Sequence, residues 1–169
     1  MDKENLIRSI SEAFKNVPRP THRQLFRVGW ETYDRKDEAL TELTVQHWQV
    51  LSSEKIQKHK NGLMGLAPEW FVFLLPAFLI SDLKNLEETN SLTDTIQYCI
   101  KHPILFEEFT EAEEMFFLTM VMLLDGIQCR SLSNYMRYQV SRDLDEVIYD
   151  DSNIRMAIQY WDKKAREKS

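Results

Sequence analysis

The residues of this 169-residue chain that could carry chemistry are four histidines, two cysteines and several runs of carboxylates. His47 stands beside Trp48, with Asp34, Asp37 and Glu38 upstream. An imidazole oriented by a carboxylate is the usual general base. No nucleophile is signposted near it, and the sequence contains neither a Gly-x-Ser-x-Gly elbow nor a glycine-rich phosphate loop. His47 therefore reads as a core histidine on the stripe Leu40, Leu43, His47 and Leu51. Metal chemistry finds little support. Cys99-x-x-His102 has ligand spacing, but a structural zinc takes four ligands and no second pair follows. A di-metal bundle needs Glu-x-x-His pairs. Here the residues three before each histidine are Arg19, Thr44, Ile56 and Cys99. No metal and no cofactor are expected. Cys99 reads as a small buried hydrophobe, and His102, next to Pro103, as a helix-end residue.

The carboxylates fall in two clusters. Glu107, Glu108, Glu111, Glu113 and Glu114 crowd one helix start, with Glu107, Glu111 and Glu114 on one face. Such a group can share a proton or hold a cation. A capping box of Thr110 with Glu113, in the favourable field of the helix N-terminus, accounts for it more simply. The second cluster, RDLDEVIYDDSN, places Asp143, Asp145, Glu146, Asp150 and Asp151 around Tyr149. An aromatic amid acids has the character of a decoy surface for a basic protein, the logic of immunity proteins that cover basic toxins. The plain alternative is a solvated helix face. Basic residues also cluster, as Arg19, His22, Arg23 and Arg27, and as Lys55, Lys58 and Lys60. With a net charge of −6 they read as a solvated loop and a solvated helix face. Nucleic-acid binding needs a basic surface, so it is not expected.

The elements that must position these groups read as helices. Glycine and proline number only 4 and 5, too few for the tight turns of an all-β chain. Leu6, Ile10, Ala13 and Phe14 form one stripe, ended by VPRP. Phe26, Val28, Trp30 and Thr32 alternate, but one strand makes no sheet, so an extended connector is expected. A helix is expected over 36–51, then a short one from Ser53 stopped by Gly62. Two apolar runs follow, Trp70–Ile80 and Met115–Leu124. Both are shorter than the ~20 residues of a membrane span. Being apolar all round, they read as central core helices, the first kinked at Pro76 and the second stopped by Gly126. Ser91 with Asp94 suggests another capping box. Met136, Val140, Leu144, Val147 and Ile148 make one C-terminal stripe, and Ile154, Ile158, Trp161 and Ala165 the other.

One resemblance comes with these elements. HWQVL, then LMGLAPEWFVFLLPAFLISDL, then FTEAEEMFFLTMVMLLDG stand in an order similar to a bacterial family of unknown function. Its members carry a tryptophan, a Leu-Thr-Pro-Glu, a YLPAFL element and an LT-x-x-Q helix. The resemblance covers roughly residues 35 to 127, and Ala67, Leu74, Leu75 and Glu114 depart from the pattern. It implies a small, mostly helical, bacterial-type domain and no site residues.

The expectation is an all-α single domain over residues 1–169, a bundle of six or seven helices around the two apolar runs. Two cysteines without a CxxC and an acidic N-terminus without an apolar signal segment suggest a reducing, cytoplasmic setting. The function expected is a non-enzymatic interaction domain, an immunity- or antitoxin-like inhibitor of a basic protein, with no membrane role. The surface would be Glu107, Glu108, Glu111, Glu114, Asp143, Asp145, Glu146, Tyr149, Asp150 and Asp151. The alternatives are a small hydrolase-like or metal-dependent enzyme using carboxylates and His47, and a self-assembling regulatory protein.

Overall fold

The structure, a computed structural model, describes residues 1–21, 24–30, 33–84, 91–101, 110–143 and 151–169. Among them the chain is all-α. The helices are α1 (Lys3–Phe14), α2 (Lys36–Leu43), α3 (Ser53–Lys58), α4 (Pro68–Lys84), α5 (Ser91–Ile100), α6 (Glu111–Leu123), α7 (Gly126–Asp143) and α8 (Asp151–Glu167). Short 3-10 turns run over Trp48–Val50 and Lys60–Gly65. The backbone forms two compact units, Asn16–Cys99 and Met1–Lys15 with Ile100–Ser169.

The Asn16–Cys99 unit is organised by α4. Thirteen of its 17 residues are buried, Pro76 among them. Trp70, Phe71, Phe73 and Phe78 lie at 2% exposure or less. Each such side chain contributes roughly 1.5–3 kcal/mol on burial, so this helix is the main apolar mass of the unit. The first apolar run is thus core, as its all-round pattern requires. Arg19, in the connector after α1, ties α2 to α4. Its Nε donates to the Val45 carbonyl at 2.9 Å, and its guanidinium lies 5.3 Å from the centre of the Trp70 ring. A cation beside the carbonyls that follow α2 also suits the helix dipole. This arginine is exposed, in keeping with a solvated loop, and it also ties that loop to α2 and α4.

The strand candidate is an extended connector. Phe26 makes an isolated antiparallel bridge to Leu66. The Arg27 N–H donates to the Gly65 carbonyl and the Ala67 N–H to the Leu25 carbonyl, each at 2.8 Å. The alternation then breaks at a turn. Gly29 has φ +93°, a conformation that side chains disfavour, and the Trp30 N–H closes the turn on the Arg27 carbonyl. Val28, at the turn, is 83% exposed.

In the other unit α7 packs along α8, and α1 lies on α7. Leu6, Ile10 and Phe14 are fully buried, as are Leu132, Tyr135, Ala157 and Trp161. The buried Trp161 indole donates to the Ile100 carbonyl at 2.8 Å. Phe117, Tyr160 and Trp161 form an aromatic cluster with centroids 5.4–5.8 Å apart. The α8 stripe is as its sequence implies: Ile154, Trp161 and Ala165 are buried and Ile158 is half-buried. On α7, Met136 is buried and Val140 half-buried; Leu144, Val147 and Ile148 lie outside the described residues.

Three boundaries differ from expectation. Helix α2 stops at Leu43, well short of 51. Gly62 lies inside the 3-10 turn that follows α3, whose last residue is Lys58. Gly126 starts α7 instead of stopping a helix. Its neighbour Asp125 accepts from the Gln128 N–H at 2.8 Å, while Gln128 accepts from the Asp125 N–H at 2.9 Å. That reciprocal pair is a helix start. A Cβ at residue 126 would sit 2.8 Å from the Ala165 carbonyl oxygen, so glycine is there for close approach to α8.

Candidate functional site

Polar groups with buried partners come first. In the Asn16–Cys99 unit, His59 at the end of α3 is fully buried, and its Nε2 lies 2.7 Å from Oε2 of Glu42 on α2. Lys58 lies 2.9 Å from the other Glu42 oxygen and 3.3 Å from Glu38. Hydrogen bonds from Lys58, and then from His59, hold the Glu42 carboxyl below the usual range; Glu42 in turn raises Lys58. The His59 Nδ1 has no hydrogen-bond partner among the described residues. A proton on Nε2 donated to Glu42 leaves Nδ1 as a bare acceptor, the less costly way to bury it. The arrangement resembles a base and its orienting carboxylate, but a base must reach a substrate proton. Nδ1 is shut off from solvent, so the pair fastens α3 to α2.

His47, the histidine singled out from sequence, lies elsewhere. It is exposed and precedes the 3-10 turn Trp48–Val50. The early end of α2 takes it off the Leu40–Leu43 stripe, so it is not a core residue. Among the described residues it makes no hydrogen bond or ion pair with a carboxylate. A third polar contact is structural: Thr93 donates to the buried Asp82 at 2.6 Å.

The thiols are inert by position. Cys99 is 6% exposed and Cys129 fully buried, both free. Burial pushes Cys99 up to about 12 and Cys129 up to about 11. Nearby cations act the other way, Arg27 on Cys99 and Lys168 on Cys129, but burial is the larger effect on both. His102 lies outside the described residues. Among the described residues no group of three or more His, Cys, Asp or Glu is placed to hold a metal ion.

In the other unit, α7 and α8 share a charged network. Asp162 accepts from Ser133 at 2.8 Å and from Arg137, with Arg130 3.5 Å away. Burial works against its ionisation, but Arg137 and Ser133, then Arg130, outweigh that and hold the carboxyl low. At the end of α6, the Lys168 ammonium donates to the Val121 and Leu124 carbonyls. These are last-turn groups that need a partner.

What remains without such an account is α6 itself. Thr110 and Glu113 form the expected capping box at its start. Phe116, Phe117, Met120 and Val121 are buried. The opposite side is not: Met115 is 60% exposed, Leu118 44%, Met122 80% and Leu123 44%. Ile127, just past the bend into α7, is 69% exposed. The second apolar run therefore departs from the all-round core reading, because only one side of it meets α8 and its aromatics. Glu111 and Glu114 are exposed at one end of this apolar strip and Asp125 at the other.

Of the acids picked from sequence, Glu111 and Glu114 are thus brought to an apolar face. Asp143 and Asp151 are the last residue of α7 and the first of α8, described in backbone only. Glu107, Glu108, Asp145, Glu146, Tyr149 and Asp150 lie outside the described residues. Sequence reasoning missed the exposed methionines because an apolar run carries no mark of which side is covered. It missed His59 by taking its segment for a solvated face. The three-residue spacing of His59 from Ile56 is the one hint in the sequence, and both are buried.

A family model matches residues 2–165. The chain belongs to the family of unknown function DUF6714. The match runs well beyond the 35–127 stretch in which the resemblance was visible, to include α1, α7 and most of α8. No curated protein and no solved structure matches the chain. No single helix among the described residues is long and apolar enough to cross a membrane; α6 with α7 passes by length and composition but bends by 119° between them.

Proposed function

We propose that this chain is a non-enzymatic protein-interaction domain whose partner is a basic protein. The observation that carries the reading is the exposed line Met115, Leu118 and Met122 on one side of α6, with exposed acids Glu111, Glu114 and Asp125 at its ends and Leu123 and Ile127 also exposed. Scattered exposed hydrophobes need no explanation, whereas a contiguous group rimmed by charge is characteristic of an interaction site. Apolar contact would supply affinity, and the acids would supply steering and partner choice. The inhibitor role, covering a basic partner's working surface as an immunity protein does, is the specific form favoured by the chain's −6 charge. Enzymatic use of His47 has no supporting geometry, since no carboxylate contacts it among the described residues.

The test is affinity capture from the source cells at low and raised salt, with the wild type and a Leu118→Ser, Met122→Ser double variant. The expected result is a basic protein held by the wild type, weakened by salt and lost with the variant. Equal recovery on both proteins, or none on either, would contradict the reading.

A further inference from the structure

The exposed face of α6 presents a line of side chains along which a partner helix can lie. Glu111, Met115, Leu118 and Met122 stand four, three and four residues apart. That is 11 residues in three steps, close to the 3.6-residue turn of the helix itself, so these side chains form one line along α6 on which a second helix can lie. Methionine is also the apolar side chain most able to adapt to a foreign surface.

Charge decides whose helix it is. Acids flank the seam at both ends, Glu111 and Glu114 at the start and Asp125 at the bend. Of the cations near the bend among the described residues, Lys168 is committed to the carbonyls of Val121 and Leu124, and Arg130 lies 3.5 Å from Asp162. If two copies of this chain paired antiparallel through α6, Glu111 and Glu114 would face the other copy's Asp125. If they paired parallel, the same glutamates would face each other. Both arrangements oppose like charges, so self-pairing is disfavoured. A lipid surface is disfavoured too, because interfacial helices carry a basic polar face.

We infer that α6 docks an amphipathic α-helix of the basic partner, with apolar residues at seam positions and Lys or Arg at its ends. This rests on the interaction reading above and adds the partner's element and its chemistry.

The probe is a synthetic helical peptide with Leu at the a and d positions of its heptads and Lys beside them. A second peptide carries Glu for Lys. Binding is followed by fluorescence anisotropy to the wild type, to Leu118→Ser with Met122→Ser, to Glu111→Lys with Glu114→Lys, and to Val28→Ser as an exposed apolar control in the Asn16–Cys99 unit. Circular dichroism checks that each variant keeps its helices. The wild type is expected to bind the Lys peptide at least about tenfold more tightly than the Glu peptide. The serine variant should lose about tenfold, and the lysine variant should reverse the preference; Val28→Ser should match the wild type. Equal affinity for the two peptides, or equal loss on the control, would overturn the proposal. So would a wild-type dimer that the serine variant dissociates, which would make a second copy the occupant. Preferential binding to phosphatidylcholine vesicles would make it a lipid surface. If no peptide binds while capture still recovers a salt-sensitive basic protein, the helix seam fails and the interaction reading stands.

Discussion

At the scale of single residues, burial decides what the titratable groups can do. Both thiols are held well above their ordinary pKa by burial, so native protein should react with Ellman's reagent at least about a hundredfold more slowly than unfolded protein. Rapid labelling of one thiol in the native state would place it outside the core. Glu42 makes a prediction in pH. Its folded pKa lies below the ordinary carboxylate value because Lys58 and His59 hydrogen-bond to it, so the ionised carboxylate adds stability. That contribution is complete above the unfolded value and disappears as pH falls through the depressed folded one. In urea titrations the gap between wild type and Glu42→Gln should be constant near neutrality and close in acid. A gap that widens in acid would mean that the Lys58 and His59 contacts do not form. Here the sequence was partly legible. Ligand spacings and nucleophile motifs are local, so the sequence can be searched for them directly, and Cys99-x-x-His102 was the one ligand-like spacing noted. Which of His47 and His59 is buried could not, because the answer depends on where α2 ends.

At the scale of elements, helix starts were more legible than helix stops. Thr110 with Glu113 is a local signal, and the box forms. Thr110→Ala should cost about 1 kcal/mol in thermal or chemical unfolding, and no change would mean the cap is idle. Gly126 was misread because a glycine after an apolar run is also a common helix stop. The Asp125 and Gln128 pair three apart was the signal for a start. The close approach to the Ala165 carbonyl could not be read from either helix alone. Gly126→Val should destabilise by roughly 1–3 kcal/mol through overpacking against α8, and a neutral result would show that α8 yields there. The run Trp70–Ile80 was identified as core because it is apolar all round and heavily aromatic. The run Met115–Leu124 has the same composition but buries only the side with its two phenylalanines. Period and composition say that a face is apolar; they do not say whether the chain itself covers it.

At the scale of the whole molecule, the all-α class followed from scarce glycine and proline and from helical periodicity. The function rests on what the folded chain leaves uncovered. An acidic protein that meets a basic one should associate faster at low salt, with the dependence carried by the acids beside α6 and by those outside the described residues. The most direct measurement is methionine oxidation by dilute peroxide, read by mass spectrometry, on the free protein and on the complex recovered by capture. Met115 and Met122, exposed at 60% and 80%, should oxidise readily when free and be protected in the complex. Met156, 50% exposed on α8, should oxidise equally in both. Protection of Met156 without protection of Met115 and Met122, or no protection at all, would contradict the assignment of α6 as the interaction face.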